Sequence, residues 1–214
     1  MNGDQPISRK YHSRRREEQA ANTRAEIARA ARQLFVEHGY TQTTISEIAN
    51  EAGVSTQTIY NSIGGKAALL LAVVENVDQI SAVGDVLERI RVSEDPGEVI
   101  DAVMAMRCRT MAGAADILRV FLAAALAEPE IEAAQQERTN RTRRRCRQIA
   151  VRLHDLDALR DGVDVEMAQD VLYTLLHHTI WQRLSEECGW ELERVESWLR
   201  ELLRRELLGQ RDEL

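Results

Sequence analysis

The feature that most constrains the fold of this chain is a pair of short helical patterns that meet at Gly53. The first pattern is a narrow apolar stripe formed by Ile45, Ile48, Ala49 and Ala52. Gly53 can take the positive φ that a helix C-terminus requires, and Ser55 is a good N-cap for a second helix that carries Ile59. Two short helices joined by a glycine-containing turn predict a helix-turn-helix.

The residues before the turn strengthen this prediction. Thr44 is placed to cap the first short helix, and Glu47 three residues later completes a capping box. A longer helix is expected over about 17–38, because Ile27, Ala30, Ala31, Leu34 and Phe35 recur at spacings of three and four. The run Ala31, Leu34, Phe35, Gly39, Tyr40, with Thr44–Tyr60 and Lys66 beyond it, resembles the DNA-reading domain of the tetracycline-repressor-like (TetR) family of bacterial regulators.

The polar residues of this motif are the candidate DNA contacts. Gln and Asn side chains can pair with adenine edges, whereas Tyr and Thr hydroxyls more often bond phosphate. The resemblance implies backbone contacts from Thr58, Tyr60 and Lys66, and base contacts from Thr56, Gln57 and Asn61. The complete candidate set is Thr44, Ser55, Thr56, Gln57, Thr58, Tyr60, Asn61 and Lys66.

The sequence departs from the family pattern at Ser62 and Ile63, where aromatic residues are usual. Ile63 fills the core position with less volume, so looser packing is expected there. Ser62 removes an aromatic ring that often supports a backbone contact, which puts one phosphate contact per subunit in doubt.

Composition and charge agree with a helical DNA-binding protein. Ala, Leu, Glu and Arg dominate and only three Pro occur, which favours an all-α fold. The net charge is −7, but residues 1–66 hold nine Lys/Arg against seven Asp/Glu, so the excess of acidic residues lies beyond the helix-turn-helix. The predicted organisation is a basic flexible arm over 1–16, a DNA-binding domain over 17–65, a linking helix over 66–83, and a helical ligand-binding and dimerisation domain over 84–214. The arm either adds phosphate or minor-groove contacts or is a solubilising tail.

The larger domain contains methionine and aromatic side chains, a few of which carry a polar group. This mixture suits a mostly apolar ligand pocket. Arg107 is the one charged residue of this set that is expected on the inward-facing side of its helix. The candidate lining is Met104, Arg107, Met111, Phe121, Leu122, Tyr173, His177 and Trp181. A plain core is an equally good interpretation for any one of these residues.

The last two predicted helices, about 165–187 and 192–208, are apolar over more than one face, so they favour a partner outside their own domain. A symmetric homodimer, in which these two helices and their two copies form a four-helix bundle, would bury these apolar faces. The candidate interface residues are Leu172, Leu176, Ile180, Val195, Trp198 and Leu202. The alternative is an ordinary monomer core.

Several other functions are disfavoured by the sequence. No phosphate-binding loop, dinucleotide fingerprint or hydrolase motif is present, so we expect no enzyme and no cofactor. His177 and His178 are adjacent and point about 100° apart on a helix, so they are not expected to bind a metal together. The arginine run over 141–147 is either a solvated face or a pocket for an acidic ligand. Three well-separated cysteines and no apolar leader favour reduced thiols in a cytoplasmic protein.

Together these observations predict a transcriptional regulator, a repressor that binds a palindromic operator as a homodimer and is released by a small-molecule effector. The alternative is a helical dimeric ligand-binding or interaction protein that does not bind DNA specifically.

Overall fold

The computed structural model describes residues 7–80 and 82–209, and this part of the chain is all-α as predicted. Its helices are α1 (Ile7–His38), α2 (Ile45–Glu51), α3 (Thr56–Ser62), α4 (Lys66–Ile80), α5 (Val83–Val92), α6 (Pro96–Ala124), α7 (Pro129–Asp155), α8 (Val165–Leu175), α9 (His178–Gln182) and α10 (Leu192–Leu207). A π-helical turn (Arg183–Glu187) follows α9. An isolated bridge between Leu159 and Leu208 is the nearest approach to β-structure in the described ranges.

Three helix boundaries differ from the sequence predictions. Helix α1 begins at Ile7 rather than near Glu17, because the Arg- and Glu-rich segment contains no Gly or Pro that would stop a helix. Residues 1–6 of the predicted arm lie outside the described residues. The apolar pattern of the sequence predicts two helices, over about 98–111 and 116–127, but α6 is one helix of 29 residues. Gly113 lies between these segments and costs only about 1 kcal/mol in a helix interior.

The third difference lies near the C-terminus, where one predicted helix is broken into α8, α9 and the π-helical turn. The break is at His177, whose backbone is extended (φ −67°, ψ 138°). Neither Gly nor Pro causes it, so no local sequence signal predicts it.

The chain divides into two compact units. The described part of the first unit covers 7–75 and 116–132, so it contains the helix-turn-helix and the C-terminal end of α6. Its core consists of fully buried side chains from each of its helices, including Ile27, Phe35, Ile48, Ile59, Leu69, Leu70, Ile117, Phe121 and Ile131. Burying each such side chain contributes about 1.5–3 kcal/mol.

The described part of the second unit covers 76–115 and 133–209, without residue 81. Its core contains Ile100, Met104, Leu153, Trp181, Val195, Leu199 and Leu203. Among the described residues, no helix is long and apolar enough to cross a membrane. The predicted domain boundaries remain predictions.

Candidate nucleic-acid interface and ligand site

Helix α2 is held by local bonds at both of its ends, as predicted. The Thr44 hydroxyl accepts a hydrogen bond from the Glu47 backbone N–H at 3.2 Å, and the Glu47 carboxylate accepts from the Thr44 backbone N–H at 2.8 Å. The Thr44 hydroxyl also donates to the Glu47 carboxylate at 2.8 Å, and this bond, together with that from the Thr44 N–H, holds the pKa of the Glu47 carboxyl below its usual value. Gly53, just beyond the C-cap Ala52, has φ 65°, which confirms its predicted role in the turn.

Helix α3 presents a polar face to solvent. Ser55 caps it by accepting from the Thr58 N–H at 3.1 Å, and Ile59 is fully buried on the opposite side. The exposed side chains are Thr56, Gln57, Tyr60 and Asn61, and Thr58 is half-buried. Because α1, α2 and α3 pack against one another, this face is carried on a fixed support.

The two amides proposed to read bases are joined to each other. Gln57 Nε2 donates to Asn61 Oδ1 at 2.9 Å, one helical turn away. This bond leaves the Gln57 oxygen and the Asn61 amide protons available to a partner. The two side chains are therefore oriented as a pair rather than independently.

Lys66 has a different environment from that implied by the resemblance. Its ammonium donates to the backbone oxygens of Tyr40 at 3.0 Å, Thr43 at 3.1 Å and Thr41 at 3.4 Å. It also lies 4.4 Å from the centre of the Tyr40 ring. An ammonium has three donors, and here all three point to carbonyls of the turn before α2. These contacts tie Lys66 to the turn before α2, and its predicted phosphate contact stays a prediction.

Two supporting residues of the same turn were missed by the sequence reasoning. Thr43 is buried, and its hydroxyl lies 2.8 Å from the Gly39 oxygen and 3.1 Å from the Leu34 oxygen. Tyr40 is also buried, and burial together with a hydrogen bond to Glu128 raises its pKa to about 12. The threonine-rich composition of the turn was the available signal for Thr43, whereas Glu128 is too far along the chain to be associated with Tyr40.

The two departures from the family pattern are accommodated locally. The Ser62 hydroxyl donates back to the Ile59 oxygen at 3.3 Å, so it bonds its own helix. Ile63 is half-buried and stands at the C-cap of α3 rather than deep in the core. The looser packing expected at this position agrees with that partial exposure.

The comparisons with known proteins point to the same segment. Residues 27–73 match the family model described as bacterial regulatory proteins, tetR family. This segment is therefore similar to the corresponding part of TetR-family regulators. Over 82 residues the chain is 39% identical to the HTH-type transcriptional regulator TtgR of Pseudomonas putida, an alignment that covers 38% of each protein. Over 54 residues it is 48% identical to the regulator HbdR of Aromatoleum sp., which covers 25% of this chain and 24% of HbdR.

The matched segments therefore span well under half the length of these curated relatives. Solved TetR-family structures resemble the chain over a greater length. NalD, the secondary repressor of the MexAB-OprM multidrug efflux pump in Pseudomonas aeruginosa, aligns with a TM-score of 0.72 at 22% identity, over 91% of this chain and all of NalD. A complex of SmeT with triclosan aligns with a TM-score of 0.69 at 21% identity, over 88% and 93% of the two chains. At this identity, these likenesses concern the fold.

Outside the TetR-family segment, the predicted ligand residues fall in both units. Phe121 and Leu122 lie in the first unit, where Phe121 is a core side chain. The other six lie in the second unit, namely Met104, Arg107, Met111, Tyr173, His177 and Trp181. Met104, Met111 and Trp181 are buried there, whereas Tyr173 and His177 are half-buried. The grouping of the second-unit residues remains a prediction.

Two of these residues carry polar atoms that are buried without a partner. Arg107 Nε and Trp181 Nε1 are inaccessible to solvent and have no hydrogen-bond partner in the described part of the chain. Burial, and to a smaller extent the charge of Arg138, lower the pKa of Arg107 to about 9. Burial also lowers the pKa of His177 and brings that of His178 to about 4, so both imidazoles are neutral at pH 7.

The arginine run of α7 is divided between surface and interior. Arg143 pairs with Asp170 at 3.2 Å, and Arg144 pairs with Glu137 at 2.7 Å. Arg147 lies 3.5 Å from the Gln169 side-chain oxygen. Arg141, in contrast, has a buried Nε without a partner among the described residues. The solvated-face interpretation thus fits 143, 144 and 147.

The predicted dimer residues are also divided by the structure. Leu172 and Val195 are fully buried and Leu176 nearly so, because α8 and α10 pack against each other within the second unit. These three are therefore core residues rather than surface residues, which corrects the prediction. Trp198 is 44% exposed and Leu202 is half-buried. Leu202 lines one surface groove with Trp198 and another with Met167 of α8, and these three supply exposed apolar surface. Ile180 is half-buried.

Proposed function

We propose that this protein is a transcriptional repressor that binds a palindromic operator as a homodimer and is released by a small-molecule effector. The observation that carries the proposal is the exposed polar face of α3 on a support fixed by two N-caps and by Lys66. Thr56, Gln57 and Asn61 would contact base edges in the major groove, and Thr44, Ser55, Thr58 and Tyr60 would contact phosphate.

Dimerisation completes this arrangement, because a palindromic operator needs two copies of α3 related by a twofold axis. Half-sites one helical turn apart would place the two recognition helices about 34–36 Å apart. The apolar surface of Met167, Trp198 and Leu202 is the candidate contact between copies. NalD is a repressor and SmeT forms a complex with triclosan, which supports repression and effector binding as the activities to test.

The effector would act through the second unit. It can release DNA only by the difference between its affinities for the DNA-binding conformation and for another conformation of the dimer.

Binding to the DNA upstream of the protein's own gene, measured over a range of salt concentrations, tests the proposal. We expect specific binding at least about a thousandfold tighter than binding to random DNA at physiological salt. Equal affinity for the two DNAs across the salt range would refute the proposal and favour a helical dimeric protein without specific DNA binding.

A further inference from the structure

We infer that the effector site of the second unit is built for an anionic ligand, a small apolar molecule with one carboxylate that pairs with Arg107. This inference rests on the proposed function, since it names the chemical class of the effector. It starts from side-chain nitrogens of the second unit that are buried without a hydrogen-bond partner among the described residues, those of Arg107 and Trp181 among them.

The first step concerns Arg107 itself. Its Nε is buried and lacks a hydrogen-bond partner among the described residues. The groups whose charge acts on Arg107 are Arg138, a second cation, and the Cys146 thiol. Burial raises the pKa of Cys146 to about 11, so the thiol is neutral at pH 7 and supplies no counter-charge. Arg107 is still protonated at that pH, since its pKa is about 9. Arg107 as a whole is half-buried, but its Nε is enclosed without a partner among the described residues, and such a cation is stabilised by an anion that enters with a ligand.

The second step concerns the neutral groups around this charge. Both His177 and His178 are within the electrostatic influence of Arg107. The Nδ1 of His177 accepts a hydrogen bond from the Thr179 N–H at 3.4 Å, so the ring proton is on Nε2 and is available for donation. Trp181, three residues beyond His178 in the chain, carries a further buried N–H without a partner in the described residues. A carboxylate offers about four acceptor positions, which suits such a set of donors.

The third step concerns the break in the chain at His177. Helix α8 ends at Leu175, and a five-residue α9 and a π-helical turn follow without Gly or Pro to cause the interruption. π-helical turns inside α-helices are frequent at functional sites. The break places His177, His178 and Trp181 on a short irregular segment, where their orientations differ from those on one continuous helix.

The fourth step concerns the apolar part of the ligand. Met104 and Met111 are buried and lie one turn before and one turn after Arg107 on α6, so the three residues share a helix face. Methionine adapts its shape to irregular apolar ligands. This face therefore offers one cation between two soft apolar side chains, which fits an amphipathic acid better than a neutral drug-like molecule or a cation.

The test compares matched acids and neutral analogues by calorimetry with the full chain. The probes are decanoate against decan-1-ol, and 1-naphthoate against 1-naphthalenemethanol, so that two shapes of apolar body are covered. We expect the wild type to bind at least one acid about tenfold or more tightly than its neutral analogue, because a charge-assisted bond is lost with the carboxylate. Equal affinities within both pairs, or no binding of either acid, would overturn the inference.

Three variants locate the charge preference. Arg107→Met should reduce the acid-to-neutral ratio to within about threefold, whereas Arg107→Lys should retain most of it. Arg144→Met is the matched control, because Arg144 is exposed and already paired with Glu137. An unchanged ratio in Arg107→Met, or a loss of the ratio in Arg144→Met, contradicts the assignment.

The melting temperature of Arg107→Met separates a ligand role from a structural one. We expect the unliganded variant to melt no lower than the wild type, because methionine removes a buried charge. A large decrease would mean that internal partners neutralise Arg107, and it would overturn the inference. Absence of specific DNA binding by the wild type would refute the proposed function, whatever the outcome with the acids.

Discussion

Replacing Lys66 by methionine tests whether this residue positions the turn before α2. Methionine has similar length and no charge, so the substitution removes the three bonds to the turn before α2 and the contact with the Tyr40 ring. The two shorter bonds, at 3.0 and 3.1 Å, are each worth about 1.5 kcal/mol as charge-assisted bonds. Lys66 is half-exposed and water can replace part of this interaction, so we expect a loss of about 2 kcal/mol.

A loss of this size should lower the melting temperature of a chain of this length by roughly 4–8 °C. It should also weaken binding to all DNA sequences alike, because the turn that positions Thr44 becomes mobile. The control for stability is Arg144→Met, which removes an exposed ion pair and should shift the melting temperature by less than about 1 °C.

The dependence of DNA affinity on salt distinguishes positioning from direct phosphate contact. If Lys66 neutralised a phosphate, its loss from both subunits would reduce the slope of log K against log salt by about 1.8. If Lys66 only supports the turn, the slope should stay within about 0.5 of the wild-type value. An unchanged melting temperature together with a slope reduced by about 1.8 would refute the positioning role.

Three further predictions concern other parts of the chain. Because Gln57 and Asn61 bond each other, their alanine variants should be non-additive in operator affinity by about 0.5–1 kcal/mol, measured by a double-mutant cycle, and strict additivity would mean that they read bases independently. Trp198→Glu should weaken the homodimer about a thousandfold in sedimentation equilibrium, because a cost of about 2 kcal/mol counts twice in a symmetric interface, and an unchanged dimer would exclude this surface. The pKa of His178 is lowered to about 4, so the unfolded chain binds more protons than the folded one between pH 6.5 and 4, and stability should fall as the pH decreases through this range. His178→Gln should reduce that fall in chemical denaturation, and an identical pH dependence would show that His178 titrates normally.

The helix-turn-helix was predictable because its signals are local. Thr44 and Glu47, three residues apart, cap α2, and Ser55 caps α3 through the N–H of the residue three positions on. Gly53 has the positive φ that the turn between the helices requires. These signals depend on bonds within one helical turn, so the amino-acid order alone defines them.

Helix continuity was less predictable. The apolar pattern predicts two segments where α6 is one helix, since the modest propensity cost of Gly113 does not interrupt it. Conversely, α8 ends near His177 although the sequence there favours a helix. In both places the tertiary environment decided between two states that differ little in local free energy.

The chemical roles of individual cations were decided by the tertiary structure. Lys66 lies 23 to 26 residues along the chain from the carbonyls that it binds, so its sequence position could not show that its donors are used. Likewise the buried Nε of Arg107 depends on helices that come from distant parts of the chain. Leu172 and Val195 show the same limit, because an apolar pattern indicates burial but does not distinguish the core of one chain from a contact between two.

The sequence by itself determined that the chain is helical and that residues 44–60 form a capped helix-turn-helix with a polar face. The physical reason is that capping, turn conformation and helix periodicity are short-range effects. The tertiary structure decided which polar atoms are already satisfied within the chain and which remain available to a partner, because hydrogen bonding and burial depend on segments that meet only after folding.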